Sequence, residues 1–171
     1  ASDAGLAVLV LGPGGPRPLR IDDLVGLALN DVDWQGLRDL VAGRRVIITG
    51  GGGSIGGQLA RRIATLAPER LTLLDSSEFN LHQISQELPD ATLALADVRD
   101  AAAMRRWFHR EQPHLVFHTA ALKQVPLVEQ FPAEGVLTNV CGLKHVADAC
   151  ASVGADLVFV STDKAVDPSG V

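Results

Sequence analysis

The sequence predicts an α/β fold, a parallel sheet wound on both faces by helices, and three observations carry that prediction. From Arg44 onward, short apolar runs alternate with stretches of helical period. The short runs are apolar throughout rather than at every second residue, which marks strands covered on both faces. A run of glycines stands between the first such strand and the first helix. Composition agrees, because 47% apolar and 20% charged residues in a chain of 171 exclude a disordered protein.

Each element follows in order. Leu6 to Leu11 reads as a short buried strand with no neighbour at hand. Gly12 to Pro18 is a breaker cluster that excludes helix and central strand. Asp33 caps a short helix whose stripe is Trp34, Leu37 and Val41, and Gly43 ends it. Val46–Thr49 is the first strand of the main pattern. Ser54–Leu66 is a helix with Ile55, Leu59, Ile63 and Leu66 on one face. Leu71–Leu74 is a strand, Phe79–Leu88 a helix, Thr92–Ala96 a strand and Ala101–Arg110 a helix. Leu115–Thr119 is the fourth strand. A long helix over Glu134–Val153 buries Val136, Val140, Leu143, Ala147 and Cys150 and stops at Gly154, and Leu157–Val160 is the fifth strand. Right-handed crossovers order these strands 3-2-1-4-5, a Rossmann-like doubly wound parallel sheet in three α/β/α layers, ending after its fifth strand. The division expected is 1–20 as a tail or remnant of a preceding domain, 21–43 as a linker arm with a short helix, and 44–171 as an incomplete dinucleotide-binding domain.

Charge and side-chain chemistry narrow the function. A net charge of -5 argues against a nucleic-acid surface. No apolar run approaches the roughly 20 residues that span a bilayer. Two cysteines do not make a disulfide scaffold. His114 and His118 lack a third ligand at clear spacing, so no metal is expected and both read as structural. Tyrosine is absent, so this chain cannot supply a tyrosine acid or base.

The strongest motif is Thr49-Gly50-Gly51-Gly52-Gly53-Ser54-Ile55-Gly56. It fits G-x-x-G-x-x-G through Gly50, Gly53 and Gly56, and G-x-G-x-x-G through Gly51, Gly53 and Gly56. A tight turn, a bare backbone beside a pyrophosphate and a close helix all demand glycine there. The helix N-terminus, with Ser54 and Ile55 in its first turn, offers free N–H groups to the phosphates. No Lys-Ser/Thr follows, which disfavours a nucleotide-triphosphate loop. Asp75 ends the second strand 19 residues after Gly56, where a carboxylate accepts the adenosine ribose hydroxyls; a helix cap is the alternative. No arginine follows closely to meet a 2′-phosphate, so the cofactor is NAD or NADP with NAD favoured. Asp97 and Val98 stand where an adenine edge would lie, with a plain helix cap as the other reading of Asp97. Ala120 and Ala121 let the cofactor lie close to the strand end. Ser161-Thr162-Asp163-Lys164 puts a hydroxyl, a carboxylate and an amine beyond the last strand, either an acid/base set or a solvated loop.

In order along the chain, TGGGGSIG (49–56), LDSSEFNL (74–81), DVRD (97–100), HTAALKQVPLVE (118–129), TNVCG (138–142) and STDKAVDP (161–168) resemble the extended short-chain dehydrogenase/reductase superfamily. Within it they are similar to the capsular-polysaccharide (CapD-like) nucleotide-sugar dehydratases and epimerases, from about Ile21 to Val171. The resemblance implies 4,6-dehydration of a UDP-N-acetylglucosamine-type sugar in surface polysaccharide synthesis, with sugar epimerisation as the alternative. A non-catalytic dinucleotide-binding module is a third reading. By position, the resemblance makes Thr162, Asp163 and Lys164 catalytic. Thr162 touches the C4 hydroxyl, Asp163 is the acid for water loss and Lys164 the base at C5. It also makes Asn139 the superfamily's structural asparagine, counted with the cofactor site, and Lys123 a substrate-binding lysine. Gln124 stands where the group usually has histidine. The group's Tyr-or-Met-x-x-x-Lys element falls after Val171, so these 171 residues alone are expected to be inactive. The implied full-length protein is a homo-oligomer, its catalytic domain cytoplasmic, anchored at an inner membrane only through segments outside this sequence.

Overall fold

The computed structural model describes residues 9–12, 15–18 and 33–162. The chain divides into two compact units, 1–34 and 35–171. In the first, β1 (Leu9–Gly12) and β2 (Gly15–Pro18) form an antiparallel pair with Leu9 opposite Pro18 and Gly12 opposite Gly15. This corrects the reading of a strand without a neighbour followed by breakers alone. In a two-stranded pair both strands are edges, and an edge tolerates proline because one side of it needs no ladder donor.

From α1 (Trp34–Val41), all but its first residue in the second unit, the chain runs to β3 (Arg45–Thr49), α2 (Ser54–Ala64), β4 (Arg70–Asp75), α3 (Glu78–Glu87), β5 (Thr92–Leu95), α4 (Ala101–Glu111) and β6 (Leu115–His118). Two short helices follow, α5 (Val125–Gln130) and α6 (Pro132–Gly135). A π-helical segment, Val136–Gly142, then runs into α7 (Leu143–Val153), and β7 (Asp156–Phe159) closes the described order. The sheet order is β5-β4-β3-β6-β7, every pair parallel. That is the predicted 3-2-1-4-5 winding.

Alternate residues of the central strands β3, β4 and β6 feed two cores, as the strand pleat requires, while β5 and β7 face only the second. Val46, Ile48, Leu71, Leu73, Leu115 and Phe117 pack under α1, α2 and α3. Ile47, Leu74, Ala94 and Val116 pack under α4 and α7. This is why the strands read as unbroken apolar runs.

Three helix faces differ from expectation. In α1 the packed residues are Leu37, Leu40 and Val41, while Trp34 is half exposed. In α2 the buried face is Gly56, Gly57, Ala60 and Ile63, and Ile55 is exposed. The expected long helix is continuous but π-helical over Val136–Gly142, and its buried face differs: Val136 and Val140 are exposed, Leu143 and Ala147 are half-buried, and Gly135, Gly142, Val146, Ala149 and Cys150 carry the contacts. The cause is close packing at glycine. A Cβ on Gly135 would stand 2.7 Å from Val128 Cγ1, and one on Gly142 2.8 Å from Val98 Cγ2. The helix turns these bare positions inward, so that Gly135, Gly142 and Val146 take the places expected of Val136, Leu143 and Ala147, one residue or about 100° of helix away.

Candidate functional site

The carboxyl ends of the parallel strands open onto a cleft of about 1510 Å³. The glycine loop between β3 and α2 forms its floor. Gly50 has φ +68°, and a Cβ on it would lie 2.8 Å from the Ala120 nitrogen. A Cβ on Gly56 would collide with the Gly50 carbonyl oxygen and lie 2.7 Å from Thr119 Oγ1. Gly50, Gly53 and Gly56 therefore answer the G-x-x-G-x-x-G spacing. Gly51 and Gly52 are needed for packing instead, against Leu73 and Asn80 respectively. Gly53 is the N-cap residue of α2 and no side chain caps that helix. Its first-turn amides, at Ser54, Ile55 and Gly56, lie at the cleft with the positive end of the helix dipole.

Asp75 ties the second strand to this loop. Oδ2 accepts the Gly52 N–H at 3.1 Å, and Oδ1 accepts the Ser77 N–H at 2.9 Å. The cap of α3 is Ser77, whose Oγ accepts the Asn80 N–H, so Asp75 is not that cap. Likewise the cap of α4 is Asp100, not Asp97. The Asp97 carboxylate takes the Arg99 main-chain N–H at 2.9 Å and the Arg99 Nε at 2.8 Å. Burial alone would raise the Asp97 carboxyl, but the Arg99 hydrogen bonds and charge more than offset it and hold it below the ordinary aspartate value. Arg99 also reaches Glu134 of α6 at 2.7 Å. Val98 is held from the same helical stretch, since His145 Nδ1 contacts the Val98 carbonyl at 3.1 Å.

Behind the cleft, Thr49, His118 and Phe159 stand in one row across β3, β6 and β7. Thr49 Oγ1 and His118 Nδ1 are 2.6 Å apart, and the imidazole stacks on Phe159 at 5.8 Å between ring centroids. His118 is buried and its Nε2 has no partner. Burial pushes its pKa down to about 4, so the ring is neutral. His114 is exposed and bonded to Arg45. Burial also pushes the Cys150 thiol up to about 11, as suits an inert core residue.

The predicted site residues converge. Gly50, Gly53, Ser54, Ile55, Gly56, Asp75, Asp97, Val98, Ala120, Ala121, Lys123, Asn139 and Thr162 all line this cleft. Asp163 and Lys164 lie outside the described residues. Asn139 acts through main chain: its Oδ1 accepts the Leu122 N–H at 2.8 Å and its Nδ2 donates to the Leu122 carbonyl at 2.9 Å. It thus pins the loop after β6 from inside the π-helical segment. Sequence reasoning passed over Ser76, Asn80, Arg99, Thr119, Glu134 and Phe159, which also line the cleft. Ser76 and Asn80 stood within LDSSEFNL, Arg99 within DVRD and Thr119 within HTAALKQVPLVE, whereas Glu134 and Phe159 fell in no quoted motif. A smaller apolar cavity of about 210 Å³ lies beside Lys123, Asn139, Val136 and Val140.

A loop packed too closely to carry a Cβ at Gly50 or Gly56, leading into an α2 N-terminus with no side-chain cap, fits a dinucleotide diphosphate, and Asp75 stands where its ribose would be read. The comparisons agree with that geometry. The probable polysaccharide biosynthesis protein EpsC of Bacillus subtilis (strain 168) is 36% identical over 166 residues, 92% of this chain and 28% of its own length. A UDP-N-acetylglucosamine 4,6-dehydratase (inverting) of Campylobacter jejuni is 32% identical, over 73% of this chain and 38% of that protein. This chain thus spans well under half of these relatives. Among solved structures, the UDP-glucose 4-epimerase of Thermus thermophilus in complex with NAD is 28% identical with a TM-score of 0.61, over 69% of this chain and 37% of that one. Residues 46–171 match the family model described as polysaccharide biosynthesis protein, and with the glycine cradle, Asp75 and the sheet order in their expected places, the chain belongs to that family.

Proposed function

We propose that this chain is the NAD-binding portion of a nucleotide-sugar 4,6-dehydratase of surface polysaccharide synthesis, acting on a UDP-N-acetylglucosamine-type substrate. The observation that carries the reading is the joining of the glycine loop to Asp75 through the Gly52 N–H, 3.1 Å from Oδ2. One contact sets both the diphosphate cradle and the ribose-reading carboxylate. The same carboxylate disfavours a 2′-phosphate, which supports NAD over NADP.

Bound there, the nicotinamide would supply reversible hydride transfer with the sugar. The residues of this chain supply the rest. Gly50, Gly53 and Gly56 hold the diphosphate by main chain, with the Ser54 and Ile55 amides. Ala120 and Ala121 leave room beside the β6 end. Val98 and Asp97 border the nucleobase. Thr162 orients the C4 hydroxyl, and Lys123 binds the substrate from the loop that Asn139 holds. Asp163 protonates the departing C6 hydroxyl, and Lys164 takes the C5 proton. Lys164 must then be partly neutral and Asp163 protonated, states that burial promotes in both. On this reading the full-length protein is a homo-oligomer whose catalytic domain lies on the cytoplasmic side of an inner membrane.

The likeness to a UDP-glucose 4-epimerase favours epimerisation as the second reading. The acid and amine beside Thr162 favour dehydration, which needs a proton taken from C5. Incubating the full-length protein with NAD and UDP-N-acetylglucosamine, followed by mass spectrometry, separates the two. Loss of one water is expected. An isomer of unchanged mass, resolved from the substrate by chromatography and proton NMR of the sugar, would establish the epimerase instead, and no product together with no NAD binding would overturn both.

A further inference from the structure

Among the described residues, the cleft has two cationic side chains, Arg99 and Lys123. Lys123 sits on the loop after β6. Arg99 sits on the turn after β5, and this turn starts against Asp75, because the Ala96 N–H donates to the Asp75 carbonyl at 3.0 Å. Asp75 and Arg99 line the same cleft, and a guanidinium within reach of the ribose is the group that would capture a 2′-phosphate. Here it is already engaged on two sides. Asp97 takes Nε and Nη2, and Glu134 takes Nη1 at 2.7 Å from another part of the chain. Asp75, Asp97 and Glu134 outweigh the one arginine, so this end of the cleft is anionic.

We propose that Glu134 is a specificity-determining residue: by occupying Arg99, it keeps the adenosine end of the cleft selective for a dinucleotide without a 2′-phosphate. The inference rests on the dinucleotide reading of the cleft. Glu134 and Arg99 are both partly exposed, at 52% and 41% of their side chains, so the pair is open to exchange with a bound phosphate once its carboxylate is gone. Asp97 stays on Arg99 throughout, which limits the gain.

The test is calorimetric titration of the full-length protein with NAD and, separately, NADP. Wild type is expected to bind NAD more tightly. E134Q is expected to tighten NADP about fivefold while NAD affinity stays within twofold, and added salt should shrink the gain. The double variant R99Q/E134Q should lose it. A gain that persists without Arg99 would overturn the proposal in favour of simple charge removal, and an NADP-to-NAD ratio unchanged in E134Q would overturn it outright. E134A, read the same way with its melting temperature, guards against a folding artefact of one substitution. Wild type that binds neither nucleotide would overturn the dinucleotide reading and this inference together, whereas NAD binding with an unmoved ratio overturns this inference alone.

Discussion

Acidification should destabilise this fold through one buried imidazole, well above the pH at which its carboxylates respond. His118 is 1% exposed, held neutral with a pKa of about 4 against 6.5 when free. The unfolded chain then binds a proton that the native chain refuses. Stability contributed by the neutral ring is full above about pH 6.5 and is lost as pH falls toward 4. At pH 5 the linkage amounts to about 2 kcal/mol relative to pH 7, and the complete shift is worth about 3 kcal/mol. The lowered carboxyls of Asp97, Asp100 and Glu87 start from free values of 3.8 to 4.5, so their losses come at lower pH. The window from pH 5 to 6.5 therefore reports His118. The assay is urea unfolding at half-unit pH steps, on wild type and on His118→Asn. Asparagine keeps a hydrogen-bonding atom near the place of Nδ1 for Thr49 but does not titrate. The variant should be less stable at pH 7, having lost ring contact with Phe159, yet flatter between pH 6.5 and 5. Equal slopes in the two proteins would refute the argument.

Three further substitutions probe the parts of the fold that shape the cleft. Gly52→Ala places a Cβ 2.6 Å from Asn80 Cβ and 2.8 Å from the Asn80 carbonyl carbon. Main chain must move, at a cost of about 1–3 kcal/mol, and because Gly52 also donates to Asp75, NAD affinity should fall; an unchanged melting temperature would count against the packing described. Asn139→Ala removes both hydrogen bonds to Leu122, about 1–2 kcal/mol for the pair, and should speed hydrogen exchange of the Leu122 amide, measured by NMR. Glu111→Ala strips a buried carboxylate from the Thr72 hydroxyl and from Arg70, 3.3 Å away in each case. It should cost about 1–3 kcal/mol with NAD affinity unmoved, since Glu111 lies outside the cleft lining; a calorimetric change in affinity would contradict that separation.

The strands were legible because each carries a two-sided apolar run, and the parallel order follows from connection handedness. The glycine loop and Asp75 were legible because their chemistry demands particular residues at particular spacing. Arg99 and Glu134 were not, because an arginine becomes part of a site only when a carboxylate 35 residues away closes on it. Asn139 could be placed by motif, but its two bonds to Leu122 depend on the π-helical segment, whose extra residue per turn leaves no mark in local propensity.

The misread faces of α2 and of the 132–153 helical stretch share one physical cause. Periodicity arguments look for bulky apolar residues on the buried side of a helix, and here the closest contacts are made by residues with no side chain. Gly56 lies over the Gly50 carbonyl, Gly135 over Val128 and Gly142 over Val98. Where backbone approaches this closely, neighbouring large residues turn outward. Ile55 is left in the cleft, and Val136 and Val140 are left around the cavity beside Lys123. Their exposure has a use, since concave sites combine apolar walls with a few fixed polar groups. The glycines that upset the hydrophobic pattern are thus what opens the cleft: they draw α2 and the 132–153 helical stretch against the strand ends and spare apolar surface for whatever binds between them.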